Sequence, residues 1–304
     1  MIVIGTRGSR LALAQTAWVR DRILARFPGT EIRVDIIGTS ADRDKTTSLR
    51  SVPSAGVFVK ELEHALLRGE IDLAVHSLKD VPTLIADGCA IAAVPEREDP
   101  RDALIARGPV QLDLLPRGAR IGTGSFRRQA QLLALRPDLE IVDMRGNIET
   151  RIGKMEAGGC DAVMLAAAGL RRLGMAARIS LLFDFGQMMP APGQGALALE
   201  TREGDVRVAR YAAAIHHPDT ARAVAAERAF LERMGGGCNV PIAAYARPVP
   251  GGLEIDGLVA SPDGRRMVRD RVSTTGATDV EGIALLARKL LARGAREILE
   301  EFRA

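Results

Sequence analysis

Hydrophobic positions along this chain switch between two spacings. Short unbroken apolar blocks read as buried strands, and longer stretches with apolar residues every third or fourth position read as helices. Residues 2–5 form the first such strand, followed by the turn Thr6-Arg7-Gly8-Ser9. A helix is expected from about Leu11 to Phe27, stopped by Pro28-Gly29, and the strand EIRVDIIG follows. The segment 39–56 is polar and aperiodic, longer than a plain loop in a compact domain. A helix over 57–68 ends at Gly69, and the apolar strand IDLAVHSL delivers Lys79-Asp80-Val81-Pro82 at its carboxyl end.

The same order recurs from 119 to 166 as ARIG, a helix, EIVDM, a second helix and DAVMLAA. The first turns echo each other, VIGTRGSR against RIGTGSFRR. Strands alternating with helices predict two parallel α/β sheets, whose ligands bind beyond the carboxyl ends of the strands. The first rim then carries Arg7, Ser9, Ser77, Lys79 and Asp80. The second carries Thr123, Ser125, Arg127, Arg128, Arg145 and Arg151. Proline-rich segments at 95–100 and 190–195 read as crossings between the units, and GALALE reads as a strand returning to the first sheet. The strands PIAAYARPV, LEIDGLVAS and RMVRDRVST, with a long amphipathic helix from about Asp279, predict a small α+β unit. The expected division is 1–97 with 195–216, then 98–194, then 217–304.

Composition narrows the function. The 304 residues are 47% hydrophobic but only 3% aromatic, so the cores must be aliphatic. A formal charge of +4, with acids and bases mixed and few aromatics, gives little support to nucleic-acid binding. No apolar run has the length of a membrane span, and the N-terminus runs directly into a strand without signal-peptide character. Cysteines 89, 160 and 238 are odd in number and far apart, which fits neither a disulfide framework nor zinc, and points to a reducing, cytoplasmic setting. The four histidines lack metal-ligand spacing, so no metal is expected.

The arginines carry the first chemical signal. Arg127 and Arg128 stand in a helix first turn, where the positive end of the helix dipole opposes them. Arg145 and Arg151 flank the next strand-to-helix junction. A ligand with several carboxylates or phosphates would account for all four; solvated surface arginines are the bland alternative. Asp80 is held before Val81-Pro82 at a strand end, suited to stabilising a developing cation or handling a proton, or else to a turn aspartate's backbone bonds. Cys238 follows three glycines, so its thiol is either accessible for covalent chemistry or incidental to a flexible turn. Cys89 and Cys160 read as buried small residues. His76 reads as a core imidazole bonded to backbone, and His216-His217-Pro218 as a helix junction.

With GTRGSRLALAQ, VFVKELEHALL, IDLAVHSLKDVP, EREDPRDA, IGTGSFRRQAQL, RPDLEIVDMRGNIETR, DAVMLAAAGLRRLG, PAPGQGAL, AERAFL and GGGCNVPIAAYA in one order, the chain resembles the porphobilinogen deaminase (hydroxymethylbilane synthase) family over essentially its whole length. That resemblance implies two lobes like periplasmic binding proteins with a cleft between them, plus a small third domain carrying the cysteine. It implies condensation of four porphobilinogen units with loss of ammonia, on a dipyrromethane cofactor bound through a thioether to Cys238, by a monomer. By the same resemblance Asp80 is the catalytic carboxylate. Lys79, Thr123, Ser125, Arg127, Arg128, Arg145 and Arg151 face cofactor and chain carboxylates, and Arg7, Ser9, Ser77 and Arg172 lie nearer the incoming substrate.

The chain departs from that pattern in places. Arg10 replaces a usual proline, GTGSF replaces GTSSL, and Ser51–Gly56 lacks the family's glycine- and lysine-containing lid, with Arg43, Lys45 or Arg50 as candidate compensation. Two other function classes stand beside the enzyme: a non-catalytic anion carrier, and nucleic-acid binding by the arginines.

Overall fold

The computed structural model describes residues 1–38, 59–108, 110–236 and 240–303. In the first sheet, β1 (Ile2–Thr6) runs parallel to β2 (Ile32–Ile36) on one side and β3 (Leu73–Ser77) on the other. Beyond β3 come β10 (Leu197–Arg202), antiparallel to it, and then β4 (Cys89–Ala93). The second sheet repeats this plan. There β6 (Arg120–Gly122) is parallel to β7 (Glu140–Val142) and β8 (Ala162–Ala166), while β5 (Asp102–Ala106) runs antiparallel to β8 and to β9 (Leu181–Leu182). The orders β2-β1-β3-β10-β4 and β7-β6-β8-β5-β9 match strand for strand.

Both sheets are therefore mixed, where parallel sheets are expected from the sequence. The crossings supply the reason. Each leaves one sheet at the carboxyl end of a strand and meets the other at its own carboxyl rim, so the strand that follows must run away from that rim. β5 and β10 are those strands, and GALALE does return to the first sheet.

Helices cover these sheets because their apolar faces match them. Val19 and Ile23 of α1 (Arg10–Arg26) pack with Ile2, Ile4, Leu73, Val75 and Leu199 in one cluster. Each such aliphatic side chain, fully buried, contributes about 1.5–3 kcal/mol. α2 (Lys60–Leu67) closes the other face through Leu62 and Leu66. On the second sheet, α3 (Phe126–Leu135), α4 (Ile148–Glu156) and α5 (Ala167–Arg172) bury Leu132, Ile152, Met155 and Leu170. Ser9 and Asn147 cap α1 and α4, accepting N–H groups of Ala12 at 3.2 Å and Thr150 at 2.8 Å.

After α6 (Val206–Ala213), His217 caps α7 (Pro218–Arg233), with proline at its first position, as a helix junction requires. α7 packs on the antiparallel sheet β11 (Ile242–Val249), β12 (Gly252–Ala260) and β13 (Met267–Thr274) around Phe230, Leu253 and Ile255. The expected long final helix is two: α8 (Asp279–Leu290) and α9 (Arg296–Arg303) meet at Gly294, whose φ of 100° breaks the helical path. Two lobes with a cleft and a small α+β domain describe the result.

The crossings lie side by side. The Glu98 N–H donates to the Gly195 carbonyl at 3.2 Å, and a Cβ on Gly195, at φ +88°, would sit 2.3 Å from the Glu98 carbonyl. Fully buried Glu227 of α7 binds both crossings: its carboxylate accepts from Arg97 at 2.7 and 3.0 Å and from the Gly193 N–H at 2.7 Å. It also accepts the Ala246 N–H of β11 at 2.9 Å.

Candidate active site

The carboxyl end of β3 passes into a single 3-10 turn, Leu78–Asp80. Leu78 at the start of that turn and Val81 just after it are buried, and the Leu78 N–H donates to the Ala196 carbonyl at 3.0 Å. Two buried anchors and a strand thus fix where Lys79 and Asp80 stand. Asp80 lines a pocket of about 70 Å³ with Arg7, Ser9, Gln15, His76 and Ser77. The hydroxyl of Ser77 accepts from Gln15 Nε2 at 2.8 Å. The first rim gathers as expected from the sequence, and Gln15, which sequence reasoning passes over, belongs to it.

At the second rim Thr123 is fully buried, and its Oγ1 accepts the Ser125 N–H at 3.2 Å. Ser125 caps α3 by accepting from the Arg128 N–H. Arg151 donates to the Gly146 carbonyl at 2.8 Å, Arg145 lies 4.0 Å from Asp143, and Arg172 donates to the Gly195 carbonyl at 2.7 Å.

Arg127 and Arg128 need a different account from the one their positions suggest. Both guanidiniums turn inward onto fully buried Asp102 at the start of β5, Arg127 at 2.6 Å and Arg128 at 2.7 and 2.9 Å. They also donate to the carbonyls of Met189 and Met164. The cost of two arginines in a helix first turn is offset by Asp102, within the protein. Burial alone would raise the Asp102 carboxyl, but Arg127 and Arg128 outweigh it and hold it well below the usual carboxylate range. The sequence carries a trace of this residue, an aspartate opening the apolar strand DALIA straight after the Pro100 crossing.

The two rims share one electrostatic field. Lys79 is half-buried as a residue, but its ammonium is enclosed. Desolvation and then repulsion from Arg128 bring it down to about 8, against the pull of Asp80 and Asp102. Its Nζ reaches Gln194 Oε1 at 3.4 Å, a further residue the sequence does not single out. Arg151 falls to about 10, by burial first and Arg128 second, with Asp143 and Asp80 opposing. Arg172 falls to about 10 by burial, against Glu98. Asp80 of the first sheet thus acts on Arg151 of the second. Arg10, the departure from proline, spans the same gap to pair with Glu149 of α4 at 3.2 Å.

His76 is buried, as its strand implies, but its partner is the Glu200 carboxylate at 2.8 Å instead of backbone. Cys89 and Cys160 are buried free thiols. Cys238 and the whole 39–56 segment, with Arg43, Lys45, Arg50 and Ser51–Gly56, lie outside the described residues. Among the described residues no group of three or more histidine, cysteine, aspartate or glutamate side chains is placed to hold a metal, and no helix is long and apolar enough to cross a membrane.

Comparison with known proteins bears on this geometry. Residues 2–210 match the family described as porphobilinogen deaminase, dipyromethane cofactor binding domain, and residues 221–292 match its C-terminal domain. The chain is 51% identical to the porphobilinogen deaminase of Pelobacter propionicus over 98% of its length and 96% of the relative's. It is 48% identical to that of Moorella thermoacetica over 100% and 97%. A periplasmic substrate-binding protein of Coxiella burnetii superposes with a TM-score of 0.43 at 15% identity, over 75% of this chain and 97% of that one, too loose a likeness to carry an inference.

Proposed function

The chain belongs to the porphobilinogen deaminase family, and we propose that it performs the family's reaction with Asp80 as the catalytic carboxylate and Cys238 as the point of cofactor attachment. The reaction joins four porphobilinogen molecules head to tail into hydroxymethylbilane, releasing ammonia at each step. When bound, the dipyrromethane cofactor supplies the pyrrole carbon from which the chain is extended.

One observation supports the assignment of the cleft: positive charge enclosed by burial and crowded by like-charged neighbours. Burial, and after it repulsion from Arg128, brings Lys79 to about 8 and Arg151 to about 10. Carboxylates of a pyrrole ligand would relieve both, so the residues present fit a polyacidic group. In this reading Lys79, Arg145, Arg151 and the hydroxyls of Thr123 and Ser125 hold cofactor and chain acids. Arg127 and Arg128 contribute mainly as a fixed positive field, anchored on Asp102. Arg7, Ser9, Ser77 and Arg172 receive the incoming porphobilinogen. Asp80, the one acid on the pocket wall among the described residues, bonds pyrrole N–H, assists departure of the amine and balances the azafulvenium cation that its loss leaves on the substrate.

The division 1–97 with 195–216, 98–194 and 217–304, and a monomer working in the cytoplasm, belong to the same proposal. Intact-protein mass spectrometry tests it. The purified protein should exceed its sequence mass by one dipyrromethane, lose that mass in Cys238→Ser, and release ammonia on mixing with porphobilinogen. A folded wild-type protein without the adduct that also leaves porphobilinogen untouched would overturn the reading.

A further inference from the structure

Beneath the pocket that Asp80 lines lies a second acid–base pair. His76 of β3 is 5% exposed, Glu200 of β10 is fully buried, and Nε2 stands 2.8 Å from Oε2. A carboxylate accepts, so Nε2 carries the proton and Nδ1 of the neutral ring is bare. Nδ1 bonds no described residue, and His76 is one of the residues walling the pocket. The other carboxylate oxygen, Glu200 Oε1, is buried and bonds nothing among the described residues. A ring held at Nε2, with Nδ1 unengaged among the described residues, has a nitrogen that can take a proton.

The reaction releases such a proton. For each unit added, the carbon–nitrogen bond of the aminomethyl group breaks, with ammonia taking the electron pair, and a carbon–carbon bond forms from a pyrrole α-carbon. That carbon then loses its hydrogen as a proton, and the proton ends on the ammonia as ammonium. Resting on the assignment of the pocket above, we propose that His76 Nδ1 takes the α-carbon proton and passes it on, with Glu200 as the fixed counter-charge that orients the ring. Of the charged groups around it, Glu200 from β10 holds Nε2, and Asp80 from the turn after β3 and Arg7 before α1 line the same pocket. Asp80 keeps the cation and the amine, and His76 takes the carbon acid. Two tasks fall to two groups, as when environments divide acid and base roles between neighbours.

The test uses cofactor-loaded enzyme and porphobilinogen deuterated at its free α-carbon. His76→Gln retains a donor toward Glu200 and should lower kcat about 10²- to 10³-fold with little change in KM. It should also expose a deuterium isotope effect that the wild type lacks, which a packing role would not produce. Glu200→Gln, as the second variant, should lose about tenfold and show the same isotope effect. Without any turnover, imidazole ¹⁵N spectra should show neutral His76 protonated at Nε2 and bare at Nδ1. A loaded His76→Gln or Glu200→Gln enzyme with wild-type kcat and no isotope effect overturns the proposal, as does a ring protonated at Nδ1. Wild-type turnover by Asp80→Asn would instead remove the pocket from the reaction, a separate failure that leaves the tautomer result standing.

Discussion

Arg97 and Glu227 meet in a two-pronged ion pair where both crossings and the third domain converge. The Glu227 side chain is fully buried, so removing Arg97 strands a charge instead of returning it to water. Arg97→Ala should therefore destabilise the protein by about 3–5 kcal/mol. Urea unfolding measures it; a loss below about 1 kcal/mol would show that the pair is replaceable by water.

Asp80→Asn keeps shape and loses charge. The turn is held by Leu78, Val81 and the Ala196 carbonyl, none of which the substitution touches. The variant should match the wild type in thermal unfolding yet lose about 10²–10³ in kcat, the usual scale for removing one electrostatic stabiliser. Single-turnover ammonia release checks this, and a rate within a few-fold of wild type would clear Asp80 of the role.

Asp102 ties acid stability to the arginine anchor. Its folded carboxyl lies below the ordinary aspartate value near about 3.9. Such a group contributes in full above that ordinary value, and its contribution is lost as pH falls through the lower, folded one. Asp102→Asn should cost about 3–5 kcal/mol at neutral pH, less in acid, because two guanidiniums lose their counter-charge. Stability measured from pH 7 down to 3 should show the curves of variant and wild type converging; parallel curves would contradict the assignment.

Lys79 gives the cleft an alkaline limit. With its ammonium brought down to about 8, positive charge fades from the cleft as pH rises through that value. Before a ligand binds, the enclosed charge opposes folding below about 8, and that cost shrinks toward lysine's ordinary value near about 10.4. Affinity for porphobilinogen acids should therefore fall between pH 7.5 and 9, as an assay range, and Lys79→Met should flatten the dependence. Calorimetric titration decides it.

Much of the architecture was legible because strand and helix periods are clean here. The blocks around Ile4, Val75 and Val163 fall where the pattern puts them. The gathering of Arg7, Ser9, Ser77 and Asp80 was legible too, since strand ends share a rim. The direction of β5 and β10 was not, because an apolar strand reads alike in both directions and only the route of the crossings decides. Nor were the partners of Arg127, Arg128 and His76. Asp102 lies 25 residues from Arg127 and Glu200 lies 124 from His76, separations over which spacing carries no information. Gly294 shows the converse limit, since a helical pattern on both sides hides the break between α8 and α9.

The exchange of strands also constrains how the chain can be made. In the first sheet, among the described residues, β4 hydrogen-bonds to β10 and to no other strand, so Cys89–Ala93 lacks that neighbour until Leu197–Arg202 has left the ribosome. The second sheet takes its β5 from before its own β6 to β8 and so closes first, within an unfinished one. Synthesis from the N-terminus then yields an inner lobe that matures ahead of the outer lobe begun before it, and a nascent chain halted short of residue 197 must keep an open sheet edge waiting.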